Sequence, residues 1–437
     1  MISTVQKRYL TESWHDASKT YEVRNPANNQ VIAEVADCGA EEAKQAADIS
    51  VKAFESWKNT TAYERSAILE RWHDLMHENL ETLAQTMTAE MGKPIKESRG
   101  EIAYAAGFVK WYAEEAKRVY GDTVPSQHPN KRILALRQPV GPSFAVTPWN
   151  FPSAMITRKA APALAAGCTF ISKPAEQTPL SALYLAALWQ EAGGPEGTLQ
   201  VLPALNPAPV SDALIEDPRI RKLTFTGSTE VGRMLYAKAA QTIKKVSLEL
   251  GGHAPFLVFE DADIEQAVPQ VMACKFRNSG QTCVCTNRIY VAQSIADDFA
   301  EAYAEAVKKL IVGDPSNDNT DIGPLVDEQG LNKVKAHMQD ALGKGAQIMT
   351  GGESLEGLYF QPTVVRGVTP DMKMMQEETF GPVAPILTFS DEAEALRLAN
   401  DTPYGLAAYI YTQDLSRAFK VAEALDYGIV GVNDGVP

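Results

Sequence analysis

From Ser143 onward the chain alternates short apolar runs with helical stretches, and no other feature of its 437 residues limits the fold as tightly. Apolar runs at 142–146, 169–173, 199–202, 221–227 and 245–250 are separated by helical spacing over 151–166, 179–192, 207–216 and 230–243. Strands separated by helices cannot pair through two-residue turns, so they form a parallel sheet with crossover helices on its faces. Sheets of this doubly wound kind bind dinucleotides beyond the C-terminal ends of their strands. A second α/β series begins after Gly251-Gly252. It runs through 254–259, a helix from Asp263, 287–292, a helix at 294–310, further apolar runs at 347–352, 360–365, 382–389 and 407–412, and helices at 391–400 and 414–426. A domain boundary is therefore expected near Gly251.

The N-terminal third reads differently. Apolar residues recur at three and four over 40–57 and 62–91, giving two amphipathic helices, the second ended by Gly92 and Pro94. A third helix is expected over 99–119. Pro125, Pro129 and the alternation Arg132 to Arg137 point to a hairpin near 124–139.

With 45% apolar residues the chain is an ordinary globular sequence, not a disordered one. Its 41 basic and 55 acidic residues give a net charge of −14, a field that repels nucleic acid and anionic membranes. The first twenty residues contain no apolar core of signal-peptide type. The richest apolar stretch, Ala160 to Ile171, is too short to span a bilayer and is interrupted by Pro162 and Gly167. Five cysteines without a secretion signal fit free thiols in a reducing compartment, so a cytoplasmic location is expected.

Some residues stand out chemically. Gly227-Ser228-Thr229 follows an apolar run and opens a helix, where glycine allows close backbone approach and the helix N-terminus favours a phosphate. Lys173 and Glu176 lie at the end of the second strand of the first series, where they are placed to bond ribose hydroxyls. A carboxylate there repels a 2′-phosphate, which favours NAD over NADP. Cys283 is flanked by glycine and polar residues, whereas Cys168 sits among small apolar ones. Cys283 and Cys285 could suggest a metal, but the six scattered histidines supply no further ligands at zinc spacing, so no metal is expected. A thiol nucleophile needs a base and an oxyanion hole. Glu249, flanked by apolar Leu248 and Leu250, and Asn150 are candidates, although spacing alone does not pair them with Cys283.

Six motifs in order then resemble the aldehyde dehydrogenase superfamily along essentially the whole chain. They are Thr147 to Pro152, Lys173 to Glu176, Gly227 to Thr229, Leu248 to Gly252, Gly280 to Cys283, and Glu377 to Pro382. Lys275 to Asn278, with Cys285, resembles the succinate-semialdehyde branch. The resemblance implies an α/β fold with an NAD-binding domain over 1–122 and 140–250, an oligomerisation hairpin over 123–139 and a catalytic domain over 251–437. It implies Cys283 as nucleophile, Asn150 as oxyanion donor and Glu249 as the base that activates water. It places the cofactor on Trp149, Asn150, Lys173, Glu176, Gly227, Ser228, Leu250, Glu378 and Phe380, with NAD preferred and NADP allowed. Arg158 and Arg277 would clamp the carboxylate of a small-molecule semialdehyde, four-carbon before five-carbon. Cys285 would be either a redox partner of Cys283 or a small buried side chain.

Family members continue beyond Val432–Pro437, through a serine on the substrate carboxylate, a Phe-Gly-Gly segment and a strand that joins the hairpin. With that tail a homodimer or homotetramer is expected; without it, activity and assembly are open. Three functions therefore stand: a hydrolytic semialdehyde or general aldehyde dehydrogenase, a CoA-acylating relative, and an inactive dinucleotide-binding chain.

Overall fold

A computed structural model describes residues 5–436. The chain divides into two compact units. The first holds residues up to Arg24, Gln30–Met91 and Ser98–Glu249; the second holds Asn25–Asn29, Gly92–Glu97 and the chain from Leu250.

The first unit is built on a seven-stranded sheet. Its order is Lys245–Glu249, Lys222–Thr226, Ser143–Val146, Phe170–Lys173, Leu199–Val201, Arg8–Leu10, Trp14–Asp16. The first five strands are parallel and the last two join antiparallel. Chain order reverses at Ser143–Val146, whose neighbours are Lys222–Thr226 on one side and Phe170–Lys173 on the other. This is the switch point at which doubly wound sheets open a crevice beyond their strand ends. Phe144, Ile171, Leu199 and Leu223 fill the sheet's interior.

Helices Ala154–Ala165, Pro179–Glu191, Pro207–Glu216 and Thr229–Ala240 cross between the parallel strands. Trp57 and Trp72 each pack edge-on against Trp189 in the helical layer. The expected hairpin is present as Asp122–Val124 paired with Ile133–Ala135, and all six residues are exposed.

The second unit carries another seven-stranded sheet, in the order Gln347–Thr350, Thr363–Arg366, Val383–Phe389, Thr286–Ala292, Ala254–Val258, Ala407–Tyr411, Ile429–Val432. All its pairings are parallel except the first. Two apolar clusters cover its faces, one around Leu257, Tyr290 and Leu387, the other around Phe256, Ile289 and Phe299. Among the described residues no helix is long and apolar enough to cross a membrane.

The N-terminal third departs from the helical reading. Four strands precede the first long helix, including the antiparallel pair Thr20–Arg24 and Val31–Ala36. The long helix expected over 62–91 is two, Ala62–Glu78 and Leu80–Met91. Asn79 divides them, with its side-chain amide donating to the Leu75 carbonyl (2.9 Å) and its backbone leaving helical geometry. The helix Glu328–Gly343, capped by Asp327, has no counterpart in the sequence reading.

Candidate active site

In the first unit the candidate residues leave adjacent strands at the switch point. Val146 leads into Thr147-Pro148-Trp149-Asn150, and Thr226 leads into Gly227-Ser228 on the neighbouring parallel strand. Asn150 is buried. The helix after it, Ala154–Ala165, has the carboxylate of Glu101 at its N-terminus, accepting the N–H groups of Ser153 (3.0 Å) and Ala154 (3.2 Å). That buried carboxylate satisfies donors a helix leaves open, and it fixes the helix that carries Arg158.

The Gly227 N–H donates to the Glu249 carbonyl (3.1 Å), which ties the phosphate-type turn to the end of the next strand. Ser228 caps the helix Thr229–Ala240 by accepting the Val231 N–H, leaving its own hydroxyl hydrogen for a ligand. A side chain at Gly227 would meet the Phe225 ring at 2.6 Å, so the turn is open only because residue 227 is glycine. Lys173 is buried and ion-paired with the partly exposed Glu176 at 3.3 Å. Burial pushes the Lys173 ammonium down, with Glu176 opposing. A capped helix N-terminus and a lysine–carboxylate pair on parallel strand ends suit a dinucleotide's pyrophosphate and ribose.

Arg158 and Glu249 both line a cavity of about 410 Å³, together with Phe108, Tyr112, Lys159 and Lys222. The Arg158 guanidinium lies over the Phe108 ring, 5.0 Å from its centroid. Lys159 donates to the Thr224 hydroxyl, and its ammonium is pushed down to about 8, by burial first and then by Arg158. Glu249 itself is exposed on an edge strand. The apolar enclosure expected from Leu248 is absent, because alternation along that strand puts Glu249 on its exposed side and Leu248 on the half-buried one.

Cys283, in the second unit, is partly exposed, whereas the other four cysteines of the chain, Cys38, Cys168, Cys274 and Cys285, are buried. Burial pushes the Cys274 thiol up to about 12 and raises those of Cys38, Cys168 and Cys285. Burial of this kind lowers the reactivity of a thiol, and among the five only Cys283 is open to solvent. Cys285 is held by the Lys275 ammonium, 3.4 Å from its sulfur, and donates toward the Lys275 and Thr286 carbonyls. All five cysteines are free.

The turn before Cys283 is strained. Asn278, Ser279 and Gly280 have φ of 53°, 56° and 76°, three successive left-handed residues of which only one is glycine. Such strain persists when neighbours over-determine the geometry, and it clusters at functional sites. Here the Glu97 carboxylate accepts the Asn278 N–H (2.7 Å), the Ser279 hydroxyl donates to the Gly323 carbonyl, and the Gln281 carbonyl oxygen Oε1 accepts the Val326 N–H. Burial raises Glu97 to about 7, against the pull of Lys93, Asn278 and Arg277. Arg277 opens this turn and is partly buried.

Gly251-Gly252 lies against the same loop. A side chain on Gly252 would come within 2.1 Å of the Cys283 carbonyl, and one on Gly251 within 2.9 Å of the Glu378 carboxylate. The Gly252 N–H donates to that carboxylate at 3.0 Å. Burial raises Glu378 to about 7, offset by this bond and by Lys333 and Lys275. Phe380, at φ 56°, turns the chain so that the Gly381 carbonyl packs on Gly280. The second unit therefore packs Gly251-Gly252 and the Glu378–Gly381 segment against the loop that carries the partly exposed Cys283.

The aldehyde dehydrogenase family pattern matches residues 14–437. The chain belongs to the aldehyde dehydrogenase family. Aldehyde dehydrogenases oxidise small-molecule aldehydes with NAD(P), and this chain is an oxidoreductase of that kind. The chain is 51% identical to the glutarate-semialdehyde dehydrogenase of Pseudomonas putida, over 99% of its own length and 90% of that protein's. It is also 51% identical to the NADP(+) succinate-semialdehyde dehydrogenase of Escherichia coli, with the same coverage. A solved succinate-semialdehyde dehydrogenase from Burkholderia pseudomallei superposes with TM-score 0.97 at 50% identity, covering 99% of this chain and 90% of that one.

Four residues escaped the sequence reading. Glu97, Glu101 and Lys333 meet partners far away in the chain, and Lys275 reaches Cys285 from a helix. Only the Lys275-Phe276-Arg277-Asn278 motif carried a signal for any of them.

Proposed function

We propose that this aldehyde dehydrogenase oxidises succinate semialdehyde, or a close short-chain semialdehyde, to the carboxylate. The observation that carries the substrate class is Arg158, a guanidinium exposed to the cavity that Glu249 also lines. A second arginine, Arg277, opens the strained turn leading to Cys283. Guanidinium pairs with carboxylate in bidentate fashion, and an uncharged aldehyde offers nothing to such groups. The semialdehyde dehydrogenases at 51% identity support the same class.

In this reading the Cys283 thiolate attacks the aldehyde carbon, and the Asn150 amide with the Cys283 N–H holds the oxyanion of the thiohemiacetal. NAD(P), when bound, would supply the acceptor for the hydride released as the thiohemiacetal collapses. The residue left is a thioester on Cys283, and Glu249 removes a proton from the water that hydrolyses it. The presence of a carboxylate base at Glu249 supports hydrolysis over transfer to CoA. Trp149, Asn150, Lys173, Glu176, Gly227, Ser228, Leu250, Glu378 and Phe380 hold the cofactor. Glu176 beside Lys173 favours NAD, since a 2′-phosphate would meet a carboxylate. The five free cysteines fit a reducing compartment and so support a cytoplasmic enzyme.

One steady-state series tests this. Arg277→Ala should raise KM for succinate semialdehyde at least ~10-fold, a loss of one charged pair, while changing KM for an uncharged aldehyde little. Equal changes for both remove the carboxylate clamp. In the same series NAD should give the higher kcat/KM, and a preference for NADP overturns the role of Glu176.

A further inference from the structure

The helix Glu328–Gly343 passes behind the segment that holds Glu378 and Phe380, and one of its side chains grips that segment twice. His337 is fully buried. Its Nδ1 lies 3.2 Å from the Thr379 hydroxyl and its Nε2 3.2 Å from the Glu377 carboxylate. A carboxylate only accepts, so Nε2 carries the ring hydrogen and Nδ1 accepts from Thr379. The ring thus bonds the residues on either side of Glu378. On the other side of the segment, the Glu378 carboxylate accepts the Gly252 N–H.

We infer that His337 is a positioning residue for the nicotinamide end of the cofactor: by bonding Glu377 and Thr379 at once, it fixes the direction of Glu378 and the left-handed turn at Phe380. The inference rests on the assignment of Glu378 and Phe380 to the cofactor made above. Four features of the site agree with it. The segment from Glu377 to Phe380 has no regular secondary structure, so no ladder of backbone bonds holds it. Phe380 adopts φ 56°, a conformation that an aromatic residue keeps only when its neighbours impose it. His337 is kept neutral by burial, against the pull of Glu377 and with Lys333 and Lys373 adding to the effect, and the neutral ring is the form with one donor and one acceptor. Glu377 is half exposed, so its bond to His337 orders a side chain that water would otherwise leave free.

The test compares two ligands of the intact protein. On that assignment NADH would engage both Glu378 and Phe380 at the nicotinamide end and Lys173 and Glu176 at the adenosine end, whereas AMP would engage only the latter. His337→Ala should weaken NADH about 10-fold, the loss of two hydrogen bonds, and leave AMP within about 2-fold of the parent. His337→Gln, whose amide N–H replaces Nε2–H, and His337→Asn, whose carbonyl replaces Nδ1, should each restore part of the loss. Thr379→Val is close in shape, carries little risk to folding, and should weaken NADH about 3-fold by the same criterion. Parallel losses of NADH and AMP, or no loss of NADH, overturn the inference. Glu378→Gln serves as the reference. If it leaves NADH binding unchanged, the cofactor assignment of the segment fails and the inference falls with it. If it weakens NADH while His337→Ala does not, the inference alone fails.

Discussion

Glu97 shows how much of the site depends on a single residue remote in sequence. Its carboxylate is buried, accepts the N–H of left-handed Asn278 and stands beside Arg277. Its acid is raised to about 7 from an ordinary value of 4.5. The folded state therefore binds the proton more tightly, and the resulting stability is present below about pH 4.5 and lost as pH rises through about 7. Glu97→Gln keeps an acceptor for Asn278 and removes the titration. The Tm difference, variant minus parent, should grow more positive from pH 5 to pH 8, and a pH-independent difference would contradict the burial argument. The partial exposure of Cys283 was legible in the sequence because its neighbours are polar. Glu97 and Glu101 were not, because a buried carboxylate is indistinguishable from a surface one until its partners, 181 and 52 residues away, are known.

At the scale of elements, the parallel strands and crossover helices were legible because apolar runs and helical spacing alternate without interruption from Ser143. The N-terminal strands were not. Arg8–Leu10 and Trp14–Asp16 are three residues each, too short for alternation to register, and they are held by edge pairing to a sheet formed much later in the chain. The break at Asn79 is a side-chain capping event that leaves the apolar period intact. The glycines of Leu248 to Gly252 were read as a motif; their physical reason is a contact between loops, since any side chain at 252 collides with the Cys283 carbonyl. Gly252→Ala must move the Cys283 backbone by about 1 Å, and if Cys283 has the proposed role a displacement of that size costs about 10²-fold in rate. A variant with near-parent kcat would show that the loop has slack. The same close packing joins Gly280 to Gly381, so the Cys283 turn and the Phe380 turn form one backbone assembly within the second unit.

At the scale of the molecule, the proposed roles divide between two α/β units, each a seven-stranded, mostly parallel sheet. The net charge of −14 opposes an anionic substrate, so selectivity for a semialdehyde must come from local groups, and Arg158 and Arg277 are the ones assigned to it. The fold class and the candidate residues were legible from six short motifs in order. The three-dimensional reasons for several of them, such as the Glu101-capped helix and the glycine that meets the Cys283 carbonyl, were not. The measurement that bears most directly on the whole account is NADH formation by the purified chain under reducing conditions. It should be run with succinate semialdehyde and with an uncharged aldehyde of equal length, alongside Cys283→Ala. The account predicts selective turnover of the semialdehyde that disappears in Cys283→Ala. Equal turnover of both aldehydes, or turnover that survives loss of Cys283, would contradict it.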